Sequence, residues 1–320
     1  PRGPRATPIP AGGIAAAGLP YQILDARTGR QVDTAVFWAK LAASNAVCVG
    51  EEHPNPHHHW VQLEVVNHVA KTTPLALGME MFQRPFQGVL DDYAAKRIDA
   101  AALRSRSGWE ERWVYDYGLY GPTIDVVVAA HGQLLALNAA RELTKKVVRK
   151  GLDALTADER AQVPELDLTD KNHRAWFDTL MESMGGHGGH STKKMPAPEP
   201  DKPPEPAPAA EESPHGAAPP MPSADQIYTV QVIWDETMAD TSAKWLKANP
   251  AGHLVILAGN GHCHDTAIIN RIKRRGVTNV ISIRPVIDED GQVAELLARP
   301  MNDYLVVLQV PPGTKPAPAE

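Results

Sequence analysis

Three short segments of the chain carry residue types that move protons or hold metal ions. Gly50-Glu51-Glu52-His53 and Gly259-Asn260-Gly261-His262 repeat one arrangement: an apolar run, a glycine, two residues and a histidine. Gly78-Met79-Glu80-Met81 sets a glutamate inside a third apolar run, where a carboxylate needs a partner to stay ionised. Open parallel sheets take their ligands beyond the carboxyl ends of the strands, and a glycine at that point permits a tight exit. Glu51, His53, Glu80 and His262 are thus expected to converge on one crevice. His53, Glu80 and His262 form a candidate set for a borderline divalent metal. The same residues suit acid–base work, with Glu51 or Glu80 as base and His262 as acid or ligand.

Other residues offer chemistry with weaker support. His57, His58 and His59 follow one another on a helix, where successive side chains diverge by about 100°; two of the three are read as a solvated face. His187 and His190 lie in a Gly-Gly-His-Gly-Gly-His run whose ordering around a ligand would cost entropy. Tyr115, Tyr117 and Tyr120 fall within six residues, and a tyrosine phenolate is one way to hold haem iron. Packing is the ordinary role for two of the three. Cys48 reads as a small buried hydrophobe and Cys263 as a thiol beside His262; two cysteines make no disulfide framework. Asn138 and Arg141 leave a strand end, either to orient an anion or to cap the following helix.

The elements that must position these groups alternate. Strands are expected at 46–50, 75–82, 134–138, 254–258 and 277–283, with 304–310 as an edge strand. Helices are expected at 56–71, 86–95, 99–106, 119–131, 139–150, 225–248 and 265–275. Asn55-Pro56 fits an N-cap with proline at the first helical position. Two more helical stretches fall within 156–184, and Thr156 with Glu159 has the capping-box spacing. Strands separated by helices give an α/β fold, a mostly parallel sheet flanked by helices. The stretches at about 83–118 and 151–184 lack intervening strands and are assigned to a smaller, all-helical lobe.

Composition divides the chain. Of 29 prolines in 320 residues, five lie in 1–20, eleven in 196–222 and four in 311–320. Residues 1–20 read as a tether, 185–224 as a Gly/His then Pro/Ala/Glu insert unable to bury a core, and 311–320 as a tail. What remains between 21 and 310 is one proline-poor domain. A net charge of −6 with no basic stripe excludes nucleic acid as a partner. No apolar run approaches the ~20 residues of a membrane-spanning helix.

The segments GEEHPNPHHH, ALGMEMFQRPFQGVLDDY, WEERWVYDYGLYGP, LLALNAARELTKKV and LAGNGHCH, in this order, resemble the ChaN-like haem-binding uptake lipoproteins of the TIKI and erythromycin-esterase superfamily. The likeness runs from about Leu24 to Val310, leaving out the insert. It implies haem as cofactor and partner, with iron held by oxygen of Tyr120 or Tyr117 or by nitrogen of His264. It also implies a role in haem or iron acquisition outside the cytoplasm, attachment through an acylated N-terminal cysteine, and a homodimer sharing haem. No lipobox cysteine occurs here, so the lipoprotein expectation rests on a leader outside this sequence. The superfamily's paired GxxH motifs and separate glutamate match Gly50–His53, Gly259–His262 and Glu80. The resemblance thus also admits a metal-dependent hydrolase of peptidase or esterase type.

Overall fold

A computed structural model of the chain describes residues 13–15, 18–71, 74–183, 222–288 and 291–309. The expected tether, insert and tail fall mostly outside these, and so do His187 and His190. Eight strands form one sheet: β1 (Tyr21–Asp25), β2 (Gln31–Val32), β3 (Ala46–Val49), β4 (Leu75–Gln83), β5 (Gln133–Asn138), β6 (His253–Leu257), β7 (Val280–Ile287) and β8 (Tyr304–Leu308). Their order is β2-β1-β8-β7-β3-β6-β4-β5. The six strands from β8 to β5 run parallel, and β1 pairs antiparallel with both β2 and β8. The fold is therefore α/β with a mostly parallel sheet, as the alternation of elements implied.

Helices cover both faces. They are α1 (Thr34–Ala42), α2 (Pro56–Val69), α3 (Gln87–Ala94), α4 (Ala100–Ser107), α5 (Trp109–Arg112), α6 (Gly121–Ala129), α7 (Arg141–Lys150), α8 (Ala157–Ala161), α9 (Lys171–Ser183), α10 (Ala224–Ala248), α11 (Asn270–Arg274) and α12 (Gln292–Ala298). Side chains alternate along each strand. Val47, Val49, Leu77, Met79 and Leu257 thus meet Val61, Leu90, Leu103 and Ile124 on one face. Cys48, Ala76, Ile256 and Leu137 meet Met238, Ala239 and Ile272 on the other. Helices α3 to α5 join the first layer, while α7 and α9 pack on α10 in the second. Among the described residues no helix is long and apolar enough to cross a membrane.

The local signals work as their chemistry requires. Asn55 accepts from the amides of His57 and His58 ahead of Pro56, and Thr156 and Glu159 close a capping box. Three expectations change. β8 is not an edge strand, because the β1–β2 hairpin adds beyond it. The helix expected at 265–275 is broken: a wide turn at Asp265–Ile269, non-helical at Ala267, precedes α11. Cys48 is bonded to Cys263, with Cα atoms 5.4 Å apart and 215 positions between them. The residue read as a small hydrophobe and the one read as a thiol are halves of one cross-link.

Candidate functional site

The carboxyl ends of β3, β4 and β6 meet at one edge, because β6 lies between the other two. β3 and β6 each end in a glycine that packs against a loop. A Cβ on Gly50 would collide with the Asn260 carboxamide. One on Gly259 would stand 3.0 Å from His53 Cε1 and 3.7 Å from Glu80 Oε2. These glycines let the two histidine loops cross at van der Waals distance, and they place His53, Glu80 and His262 around Gly259.

Two carboxylate–histidine couples reach this point from opposite faces of the sheet. On the α2/α6 side, Glu51 Oε1 accepts from His53 Nδ1 at 2.7 Å and from the Tyr120 hydroxyl at 2.7 Å. Its Oε2 accepts from Gln62 Nε2 at 2.6 Å. His59 sits behind, its Nε2 2.9 Å from the His53 carbonyl. Burial opposes charge on His53, but the Glu51 hydrogen bond and the nearby Glu80 outweigh it and raise the pKa. The His53 ring keeps 28% of its side chain exposed, between Trp113 and Tyr115 at ring distances of 4.8 and 4.9 Å.

On the α10 side, His262 Nε2 lies 3.4 Å from Glu80 Oε1 and its Nδ1 2.6 Å from Asp235 Oδ1. Glu80 Oε2 accepts the Gly259 amide at 2.7 Å. Asp235 Oδ2 is in turn 3.0 Å from His173 Nε2. His173 and Asp235 are fully buried. Burial works against an imidazolium at His262, yet Glu80 and Asp235 overcome it and raise the pKa to about 10. Both carboxylates are held below the ordinary range despite burial, Glu80 by His262 and His53 and Asp235 chiefly by His262.

This arrangement bears on the metal set. Among the described residues no three His, Cys, Asp or Glu side chains are disposed to hold a metal ion. Glu80 and His262 face each other as an ion pair, and His53 turns its Nδ1 to Glu51. A metal would have to displace the proton that the two acids hold on His262.

The residues expected to hold haem separate. Tyr120 is fully buried, and burial and Glu51 push its phenol far above the ordinary tyrosine value. Tyr117 is half-buried against Trp109, at a ring distance of 5.2 Å, and burial pushes it up to about 12. His264 lies on the second face against Trp176, 2% exposed, and burial pushes it down to about 3. Tyr115, half-buried beside His53, stands at the rim instead. Between Trp113 and Tyr115, Val114 is 73% exposed at φ 69°, an uncommon conformation for a β-branched residue.

His57, His58 and His59 are all buried, at 7, 1 and 0% exposure, so none forms the expected solvated face. The Asn55 cap sinks their turn under the Gly50–His53 loop, where His58 Nδ1 accepts the Glu52 amide at 3.0 Å. Asn138 and Arg141 pin backbone: Asn138 Nδ2 donates to the Glu80 carbonyl and Arg141 Nη1 to that of Glu111. Asp235 and Gln62, which bond His262 and Glu51, are residues of the candidate site that motif reasoning passed over. Asp235 falls on the buried stripe Tyr228, Val232, Asp235, Ala239 and Ser242 of α10, and Gln62 on that of α2. A polar residue on an apolar stripe is the signal that finds both.

A family model described as haem-binding uptake, Tiki superfamily, ChaN matches residues 37–272, well over half of the chain. No curated protein matches it in sequence. Among solved structures, one titled "Cofacial heme binding to ChaN of Campylobacter jejuni" is similar with a TM-score of 0.62 at 15% identity, over 91% of this chain and 97% of that one. A mutant of the erythromycin esterase EreC, in its open conformation, gives 0.46 at 10% identity over 89% and 96%. The type III effector HopBA1 gives 0.40 at 8% identity over 86% and 92%.

Proposed function

From the premise that this chain belongs to the haem-binding uptake family of the Tiki superfamily, we propose that it binds haem outside the cytoplasm, as part of haem or iron acquisition. The observation that carries this reading is the half-exposed rim of His53, Trp113 and Tyr115 beside the exposed Val114. Haem offers a flat apolar face and an iron that takes an imidazole or phenolate ligand. Of the nearby ligand types, His53 Nε2 and the Tyr115 hydroxyl are the ones on a surface a macrocycle can approach. Bound haem would supply redox-active iron. Glu51 would fix the His53 ring from behind, and Tyr120 would act through Glu51.

The structure of the Campylobacter jejuni protein is titled for cofacial haem. By analogy, two copies of this chain would meet through their haems. The Cys48–Cys263 bond supports an oxidising compartment, where such bonds persist. It agrees with an exported, lipid-anchored protein.

Haemin titration tests the proposal. Wild-type protein should give a Soret shift at micromolar haemin, and H53A or Y115F should weaken it. Y117F should leave it unchanged. Size-exclusion with and without haemin reads the dimer. No Soret shift in the wild type would sink the reading.

A second reading rests on the two carboxylate–histidine couples that meet at Gly259. Glu51 orients His53 so that Nε2 can take a proton from water, and the His262 imidazolium can donate one. Ester or peptide turnover by the wild type, lost in H53A and H262A, would support a hydrolase. Equal background in all three would remove it.

A further inference from the structure

Arg284 lies on β7 one residue beyond Ile283, whose carbonyl accepts the Gly50 amide at 2.9 Å. It therefore stands level with the point where β3 turns into the Gly50–His53 loop. Strand alternation puts it on the α10–α12 face, beside the strand end over which the site is built. Arg284 is half-buried, and among the described residues its side chain makes no hydrogen bond and no ion pair. Among those residues no other arginine withdrawn from solvent is left this way. Arg271, 2% exposed, meets Glu236, and Arg84 meets Asp240. Arg141 donates to a backbone carbonyl.

Among the described residues Glu52 is the one carboxylate in electrostatic reach of Arg284, and it forms no ion pair with it. Burial presses the arginine's charge down, and Glu52, between the site residues Glu51 and His53, offsets only part of this. His58 is the other neighbour in electrostatic reach, and burial holds it neutral, at about 3. Its Nδ1 accepts the Glu52 amide, so its hydrogen sits on Nε2, which has no partner. A guanidinium withdrawn from water with its fork empty fits a planar anion that can accept two parallel hydrogen bonds.

We propose that Arg284 binds a carboxylate of the ligand that enters this crevice. Resting on the haem reading above, that carboxylate is a propionate of haem.

The test compares haemin with its dimethyl ester, which lacks the propionate charge, on wild type, R284Q and R284K. Wild type should bind haemin ~10-fold more tightly than the ester, the worth of one charged hydrogen-bonded pair. R284Q should bind both as the wild type binds the ester, and R284K should fall between, keeping charge without the fork. R284Q should melt no lower than wild type, since it removes a half-buried charge that no described residue pairs with. Full haemin preference in R284Q would overturn the proposal. If wild type binds neither porphyrin, the haem reading fails by itself, and succinate then decides about Arg284. A rise in Tm with succinate that R284Q lacks would support the carboxylate site; no rise, or an equal rise in both, would overturn it.

Discussion

The Tyr120 hydroxyl donates to Glu51 Oε1 at 2.7 Å, joining residues 69 positions apart, and both side chains are closed to solvent. The phenol is spent on holding a buried carboxylate that in turn aims His53. Y120F removes one of the donors that hydrogen-bond Glu51 inside the protein. Leaving a buried acceptor short of a partner costs about 1–3 kcal/mol. Urea denaturation should register a loss of that size, while the haemin Soret band should survive with altered affinity. A complete loss of the band would instead make Tyr120 the iron ligand.

Asp235 should govern the proton on His262 through the 2.6 Å contact to Nδ1. In the wild type, NMR titration should find the ring protonated until about pH 10. D235N keeps the shape and removes the charge, so the titration should move down toward the ordinary histidine value. D235E should restore part of the shift. A His262 titration unmoved by D235N would show that Glu80 alone sets it.

Stability should peak in the neutral range. His262 has a folded pKa of about 10, above an unfolded value of about 6.5. Its contribution is whole below 6.5 and fades as pH rises through 10. His58 and His264 are held at about 3, so the unfolded chain takes up protons that they refuse as pH falls below 6.5. Loss of stability on the acid side follows. Urea midpoints measured from pH 4 to 10.5 should trace a maximum near pH 6–7. A profile rising steadily to pH 10 would contradict the charge assigned to His262.

Reducing the Cys48–Cys263 bond should lower stability. Chain-entropy arguments give about 5 kcal/mol for a loop of this length, closed across 215 positions. Comparing denaturation with and without reductant, and in C48A/C263A, measures it. Because Cys263 follows His262 directly, the His262 resonance should broaden on reduction.

Gly259→Ala tests the crossing of the two loops. Its Cβ would come within 3.0 Å of His53 Cε1, so the ring must move off Glu51 Oε1. The expected result is a His53 pKa shifted back toward the ordinary value. An unchanged His53 titration would mean that the loop yields instead.

Much of this could be read from residue order. The two Gly-x-x-His runs and Glu80 announced strand ends, because a glycine closing an apolar run and a glutamate inside one both ask for a special place. The α/β class followed from the alternation of runs and periods. The β1–β2 hairpin and α1 did not register: β2 has two residues, and Thr34–Ala42 begins on a single Asp33 cap. The disulfide was out of reach because it depends on which strands become neighbours. The buried histidines of α2 misled for a related reason: polarity suggested solvent, whereas the loop above covers them and bonds His58 and His59. Asp235 was legible in principle, as a charge on the apolar stripe of a long helix.

β3 and β6 are immediate neighbours in the sheet, yet nearly the whole middle of the chain is strung between them. The centre around Gly259 is therefore a product of late, long-range closure in folding, since contacts this far apart form at high entropic cost. Whatever lies between the two loops counts, for that closure, as tether length, whose cost grows only with the logarithm of its size. An addition of several dozen residues between α9 and α10 then taxes assembly by a fraction of a kcal/mol. The chain can carry the 184–221 segment at this point without disturbing the histidines on either side.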